Sequence, residues 1–317
     1  MEYRYSGKSG LQLPLVSLGL WHNFGSVDPY DNARAMLLRA WEQGITHFDI
    51  ANNYGPEPGS AETTFGRVLR EDLAAHRDEM IISSKAGYLM WNGPYGDGGS
   101  RKYLMASCNQ SLRRTGLDYF DIFYSHRYDP NTPIEETMQA LVDIVHAGKA
   151  LYAGISNYPA AKQQECYDYL RAAHVPCVIS QYKANMLFED TLRNNLSVAE
   201  ENGSGFICFS PLAQGLLTDR YLHGIPEGSR ATKEVFLHRA QITEDVIART
   251  RRLSEIAASR GQSVAQMALA WLLAHEGVTS VIVGASSVAQ LDSNLHSVNN
   301  ITFSEHELQA IRRAIAE

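Results

Sequence analysis

Apolar and polar positions along this chain are grouped in blocks. Eight short, almost continuously apolar runs recur: VSLGLW (16–21), THFDIA (46–51), MIISSKA (80–86), YFDIFYSH (119–126), LYAGISN (151–157), PCVISQYK (176–183), GFICFSPL (205–212) and TSVIVGAS (279–286). Between them lie stretches such as ARAMLLRAWEQG and PIEETMQALVDIVHAG, whose apolar residues return at helical spacing. Strands that are apolar on both sides of the pleat are covered on both faces, as in a parallel sheet under helices. Eight such units without a break in composition predict an α/β fold, a (β/α)8 TIM barrel, over a single domain spanning 1–317. A doubly wound open sheet is the competitor. It would carry a G-x-G-x-x-G fingerprint after an early strand, and none follows a strand in this sequence.

Three segments depart from the rhythm. The N-terminal YRYSGKSGLQLP reads as a small hairpin turning near Gly7–Gly10, a plug for the barrel floor. Residues 213–240 form a connection long enough to be a lid or binding loop. Residues 243–275 hold two extra helices before the last strand, the second opening on a Ser263/Gln266 capping box, and ITFSEHELQAIRRAIAE adds a C-terminal helix.

Composition narrows the function classes. The 317 residues are 44% hydrophobic, enough for a large core, and the net charge of −7 is spread without a basic block. That argues against nucleic-acid and membrane-surface partners. No run approaches the roughly 18 apolar residues of a membrane span, and MEYRYSGKSGLQLP lacks the apolar core of a signal peptide. The expectation is a soluble, cytoplasmic protein. Cys108, Cys166, Cys177 and Cys208 show no CxxC spacing, so buried free thiols are expected in preference to two disulfides. No His, Cys, Asp and Glu cluster has metal-ligand spacing.

The chemistry gathers at the ends of the runs. Asp49, Lys85 and His126 close the second, third and fourth, and Tyr54 follows in the loop ANNYG. A lysine ending a buried strand is costly without a compensating partner, and in this fold the C-terminal strand ends form the active site. Trp21 and His22 follow the first run, Ser156 and Asn157 end the fifth, and Gln181 lies near the end of the sixth. Phe209 and Ser210 lie near the end of the seventh, Gly284 and Ser286 near that of the eighth. Tyr54 is then the candidate general acid, with Lys85 lowering a phenol pKa that is ordinarily about 10. Asp49 keeps Lys85 charged, and His126 orients a substrate oxygen. Such a group suits protonation of a carbonyl oxygen as hydride adds to its carbon. A Schiff-base role for Lys85 is the alternative, and it leaves Tyr54 and the Ser156–Asn157 pair without a task. His47 and His146 read as structural histidines. Trp21 reads as a pocket wall. Tyr88, Trp91 and Tyr95 follow the third run at the same end of the barrel and read either as ordinary surface or core aromatics or as further wall, and Arg101 and Lys102 as a solvated helix start.

With these residues in place, the chain resembles the aldo-keto reductases over essentially its whole length, through GITHFDIANNYG, ISSKAGY, YFDIFYSHR, GKALYAGISNY, FSPLAQGLLT and VIVGASSVAQLDSNL. GLWHNFG, NNYGPEPGSAE and NGPYGDGGSRKYL resemble the subgroup of bacterial L-glyceraldehyde 3-phosphate reductases and potassium channel β-subunits. The resemblance implies NADPH-dependent reduction of small aldehydes such as glyceraldehyde 3-phosphate or methylglyoxal, with NADH as the other cofactor, in a homo-oligomer (a tetramer or larger ring). It also implies a second function class, a cofactor-sensing binding module with slow turnover. By the same resemblance Ser156, Asn157 and Gln181 hold the nicotinamide carboxamide, and Phe209 stacks on its ring. Ser210, Leu212, Gly215, Thr218 and Arg220 wrap the pyrophosphate, while Gly284, Ser286, Gln290 and Asn294 hold the adenosine end. Trp21 touches cofactor and substrate, and Tyr54 and His126 complete the substrate pocket. The pattern departs in three places. Ser287 stands where a cation is usual beside the 2′-phosphate, leaving Arg220 and Arg230. Ala184 stands where a tyrosine is usual, with Tyr182 nearby, and the C-terminal tail is short.

Overall fold

Every one of the eight apolar runs is a strand of one closed sheet. The computed structural model describes residues 1–227, 229–233 and 237–316, apart from the side chains of Arg230 and Lys233. A hairpin comes first, β1 (Tyr3–Tyr5) antiparallel to β2 (Gln12–Pro14). The barrel strands are β3 (Val16–Gly19), β4 (His47–Asp49), β5 (Ile81–Ala86), β6 (Phe120–Ser125), β7 (Ala150–Ser156), β8 (Cys177–Lys183), β9 (Gly205–Phe209) and β10 (Val278–Val283). Each is parallel to the next, and β10 closes onto β3 by pairing Val281 with Val16.

Parallel neighbours require long crossovers, and helices supply them. The crossover helices include Tyr30–Glu42, Ser60–Val68, Arg101–Thr115, Ile134–His146 and Ala160–Ala172. Helix Arg101–Thr115 shows how local sequence sets the bounds: Ser100 Oγ accepts from the Tyr103 N–H, and Gly116, at φ 72°, ends it. The two extra helices are Glu244–Ser259 and Val264–Leu273, the second with the expected Ser263/Gln266 capping box, and the chain closes on helix Glu305–Ala316. The described residues between 213 and 240 include four short turns, Ala213–Gly215, Asp219–Tyr221, Arg230–Lys233 and Arg239–Gln241.

Outward-facing strand residues such as Phe48 and Phe123 join Met36, Leu37, Phe65 and Leu141 in the main core between barrel and helices. Inside the barrel Ile122, Tyr124, Ile179, Ile207 and Ile282 form a second, smaller core. The hairpin seals its floor: Leu13, fully buried, joins that cluster, and Ser6 Oγ donates to the Val178 carbonyl at 2.8 Å. Gly7 makes the fit possible, since a Cβ there would lie 2.1 Å from the Gly203 oxygen. The four cysteines are buried free thiols. Among the described residues no helix is long and apolar enough to cross a membrane.

Candidate active site

Strand periodicity of two decides which side chains enter the barrel. With Phe48 facing outward, its neighbours His47 and Asp49 turn inward. Ser83 and Lys85 do the same on β5, where Asp49 is in register with Ser83. Lys85 is fully buried, and its Nζ donates to Asp49 Oδ2 at 2.7 Å, to the Ile50 carbonyl at 2.7 Å and to Tyr54 Oη at 3.2 Å. The other carboxylate oxygen, Asp49 Oδ1, accepts from Ser83 Oγ at 2.7 Å and Gln181 Nε2 at 3.0 Å. Asp49 therefore accepts three hydrogen bonds, one of them from an ammonium, which is what lets a buried carboxylate persist.

Tyr54 hangs over this pair from a loop whose far end is anchored. Glu62, fully buried on helix Ser60–Val68, accepts from Ser84 Oγ at 2.6 Å and from Arg114 Nε at 2.7 Å. His126 follows β6, and its ring meets Tyr54 edge-on at 5.9 Å and Tyr88 at 4.7 Å. Its carbonyl accepts from Asn157 Nδ2 at 3.1 Å, and its Nδ1 is buried with no hydrogen-bond partner among the described residues.

Burial dominates the electrostatics. It holds the Lys85 ammonium below its ordinary pKa, with Asp49 and Glu62 opposing. It drives His126 well below the usual imidazole range, helped by Lys85 and Arg127, so the ring is neutral at neutral pH. Tyr54 is pushed well above the ordinary phenol value, first by burial and then by Asp49. The expectation that Lys85 would lower this value is corrected here. Burial is the largest cause and the Asp49 carboxylate adds to it, so the two outweigh the ammonium's preference for a phenolate. The result is a phenol that keeps its proton while receiving a hydrogen bond from an ammonium.

Two adjoining cavities, of about 680 and 700 Å³, open on either side of Tyr54 and share Trp21, His22, Asn23, Tyr54 and Phe209. The first runs along β9 and β10 and is lined by Asp49, Ser210, Leu212, Gly215, Thr218, Arg220, Gly284, Ser286 and Gln290, among others. The second is lined by His126, Asn157, Gln181 and Tyr88. Ser156 and Asn294 are buried, the former accepting from Asn157 Nδ2 at 3.0 Å. Arg230 starts a one-turn helix, and its side chain lies outside the described residues. Ser287 caps helix Val288–Leu295 by accepting from the Gln290 N–H. Tyr182 turns away from the cleft into the outer core, stacked on Phe206 at 5.3 Å. Arg101 pairs with Asp143, and Lys102 sits over the Tyr95 ring.

Sequence reasoning passed over several wall residues. Asn23, at φ 71°, donates from Nδ2 to the Ala285 carbonyl at 2.9 Å and so joins the loops after β3 and β10. Tyr88, which the sequence leaves open between an ordinary aromatic and a pocket wall, lines the second cavity and faces His126 with the Arg127 guanidinium over its ring. The loop between β5 and the next helix carries no periodicity, so only the tertiary structure places it.

Comparison with known proteins agrees with this geometry. Residues 15–316 match the model of the aldo/keto reductase family. The chain is 56% identical to L-glyceraldehyde 3-phosphate reductase of Escherichia coli O157:H7, over 100% of this chain and 93% of the relative. It is 55% identical, with the same coverage, to the protein of that name in E. coli strain K12. A probable voltage-gated potassium channel subunit beta of Arabidopsis thaliana is 34% identical over 95% of this chain and 92% of its own length.

Proposed function

The chain belongs to the aldo/keto reductase family and is an oxidoreductase, and on that premise we propose that it reduces small oxygenated aldehydes with NADPH, Tyr54 serving as the general acid. The observation that carries the reading is Tyr54 itself. Its phenol lies at the seam of two cavities, keeps its proton through burial, and accepts from Lys85 at 3.2 Å.

The first cavity fits a nicotinamide dinucleotide. Its wall includes Ser210 at φ 52° and Gln214 at φ 59°, backbone conformations that leave a concave, polar cradle. Arg220 is the one Lys or Arg among its described lining residues, and the start of helix Val288–Leu295 adds Ser286 and Gln290. In this reading the nicotinamide end crosses the shared wall, where Asn157 and Gln181 of the second cavity, with Ser156 behind Asn157, hold the carboxamide, and Phe209, common to both cavities, covers the ring. Ser210, Leu212, Gly215, Thr218 and Arg220 take the pyrophosphate, and Gly284, Ser286, Gln290, Asn294 and Arg230 the adenosine end. When bound, the dinucleotide supplies the hydride.

The chain's own residues do the rest. An aldehyde in the second cavity directs its oxygen at Tyr54 Oη and at the neutral His126 ring, which donates one hydrogen bond and fixes the carbonyl plane. As negative charge grows on that oxygen, Tyr54 gives up its proton, and the Lys85 ammonium stabilises the phenolate left behind. Trp21 forms part of the wall of both cavities beside Tyr54. L-Glyceraldehyde 3-phosphate, for which the E. coli relatives are named, is the first substrate to try, with methylglyoxal as a second small oxygenated aldehyde.

The test is NADPH and NADH oxidation across phosphorylated and unphosphorylated aldehydes. The expected result is aldehyde-dependent turnover in the range of about 1–10³ s⁻¹ with at least one substrate, faster with NADPH. Turnover below about one per minute on every aldehyde would overturn the reductase reading and favour the binding-module class, to which the potassium channel relative points.

A further inference from the structure

One side of the barrel interior departs from the branched apolar filling usual in this fold. While β6, β8 and β9 contribute Ile122, Ile179 and Ile207, the strands β10, β3, β4 and β5 contribute Ser280, Ser17, His47 and Ser83, all fully buried. These four side chains touch in sequence. Ser280 Oγ lies 2.7 Å from Ser17 Oγ, Ser17 Oγ 2.8 Å from His47 Nδ1, and His47 Nε2 3.0 Å from Ser83 Oγ. Ser83 Oγ then reaches Asp49 Oδ1 at 2.7 Å.

The far end fixes the direction of every bond. An ionised carboxylate only accepts, so Ser83 spends its one proton on Asp49. The Ser83 oxygen must then accept from His47, which places the imidazole proton on Nε2. Burial keeps the ring neutral, with a pKa of about 4, so Nδ1 carries a lone pair and accepts from Ser17. Ser17 in turn accepts from Ser280, whose alternative acceptor, the Leu15 carbonyl, is more distant at 3.3 Å. All donors point one way, toward Asp49. Bonds aligned head to tail polarise one another, and in a dry interior that strengthens the last one.

We propose that His47 and Ser83 are positioning residues of the reductase site: this one-way file of hydrogen bonds holds Asp49 Oδ1 in place, so that Oδ2 remains on Lys85 and Lys85 on Tyr54. The inference rests on the proposed role of the tetrad Asp49, Tyr54, Lys85 and His126. It assigns a task to His47, which sequence reading treats as structural. Neither His47 nor Ser83 is among the described residues that line these two cavities. Its loss therefore disturbs the proton donor while leaving the ligand contacts untouched.

Three variants test it: His47→Leu, His47→Gln and Ser83→Ala. Glutamine can present an N–H near the place of Nε2 and an acceptor near that of Nδ1. Leucine can do neither. Ser83→Ala removes only the hydroxyl and covers the case in which His47→Leu does not fold. The expected result is a kcat about 10-fold or more below wild type for His47→Leu and Ser83→Ala, the size of one hydrogen bond to a charged group. The aldehyde KM and the NADPH Kd from fluorescence titration should stay within about twofold, with His47→Gln recovering most of the loss. Wild-type kcat in Ser83→Ala would overturn the proposal, as would parallel rises in KM and Kd, the mark of a loosened barrel. A readout independent of turnover is ¹⁵N NMR of histidine-labelled protein, with the His47 signal assigned by its absence from His47→Gln. A proton on Nε2 is expected, and a proton on Nδ1 would overturn the file even if the wild-type protein reduced no aldehyde.

Discussion

Replacing Lys85 by methionine keeps the length of the side chain and deletes its charge, and the structure sets the size of the effect. Three hydrogen bonds disappear, to Asp49 Oδ2, the Ile50 carbonyl and Tyr54 Oη. At the 3.2 Å separation of Nζ from Oη, a unit charge at an effective dielectric of about 20 is worth about 5 kcal/mol to a full phenolate. A single preorganised donor to a developing oxyanion is worth about 3–4 kcal/mol by mutagenesis in other enzymes. At 1.36 kcal/mol per decade these bracket a fall in kcat of about 10²- to 10⁴-fold. Folding stability should fall less steeply. Breaking a buried ion pair costs about 3–5 kcal/mol, and Asp49 keeps Ser83 and Gln181 as donors, which favours the lower end. Adding Asp49→Asn removes the orphaned charge, so the double variant should regain stability without regaining turnover. The assay is steady-state NADPH oxidation alongside urea unfolding and nucleotide titration. Lys85→Met retaining more than a tenth of wild-type kcat, with nucleotide binding intact, would refute the assignment of Lys85 to the proton-donating unit.

Two further predictions concern stability. His47 has a folded pKa of about 4 against about 6.5 unfolded, so below pH 6.5 the unfolded chain binds more protons and stability falls as the pH drops. Between pH 7 and 5 this single group should remove about 2 kcal/mol. His126 acts in the same direction. His47→Gln should flatten the profile by about that amount in denaturant unfolding at the two pH values, and an unchanged slope would contradict a neutral, buried His47. Gly66 lies where a Cβ would come within 2.4 Å of the Thr115 carbonyl oxygen and 2.6 Å of its Cα. Gly66→Ala should therefore push helix Ser60–Val68 off helix Arg101–Thr115 and cost about 1–3 kcal/mol. A stability equal to wild type in the same assay would show that the two helices have room to spare.

The sequence by itself determined the architecture and the placement of the tetrad. Eight apolar runs separated by helical periodicity fix strand number, covering and parallel order, because each run is too apolar to face water on either side. Asp49, Lys85 and His126 were legible because a charged or polar group at the end of such a run is conspicuous, and the C-terminal ends of a parallel barrel face one cleft. The hairpin plug and the Ser263/Gln266 cap were likewise local patterns. Tertiary structure alone decided how these groups act on one another. Whether Tyr54 is acidified by Lys85 or protected by burial depends on the depth of the site and on the nearness of the Asp49 carboxylate, neither of which is a property of spacing. Gln181 reaches Asp49 from the far side of the barrel, and Asn23 ties the first strand's loop to the last. His47 looked like any histidine at the start of a strand. Only closure of β10 onto β3 brings Ser280 to Ser17 and completes the file that ends at Asp49, because a contact between residues at opposite ends of a chain is created by the fold and has no local signature.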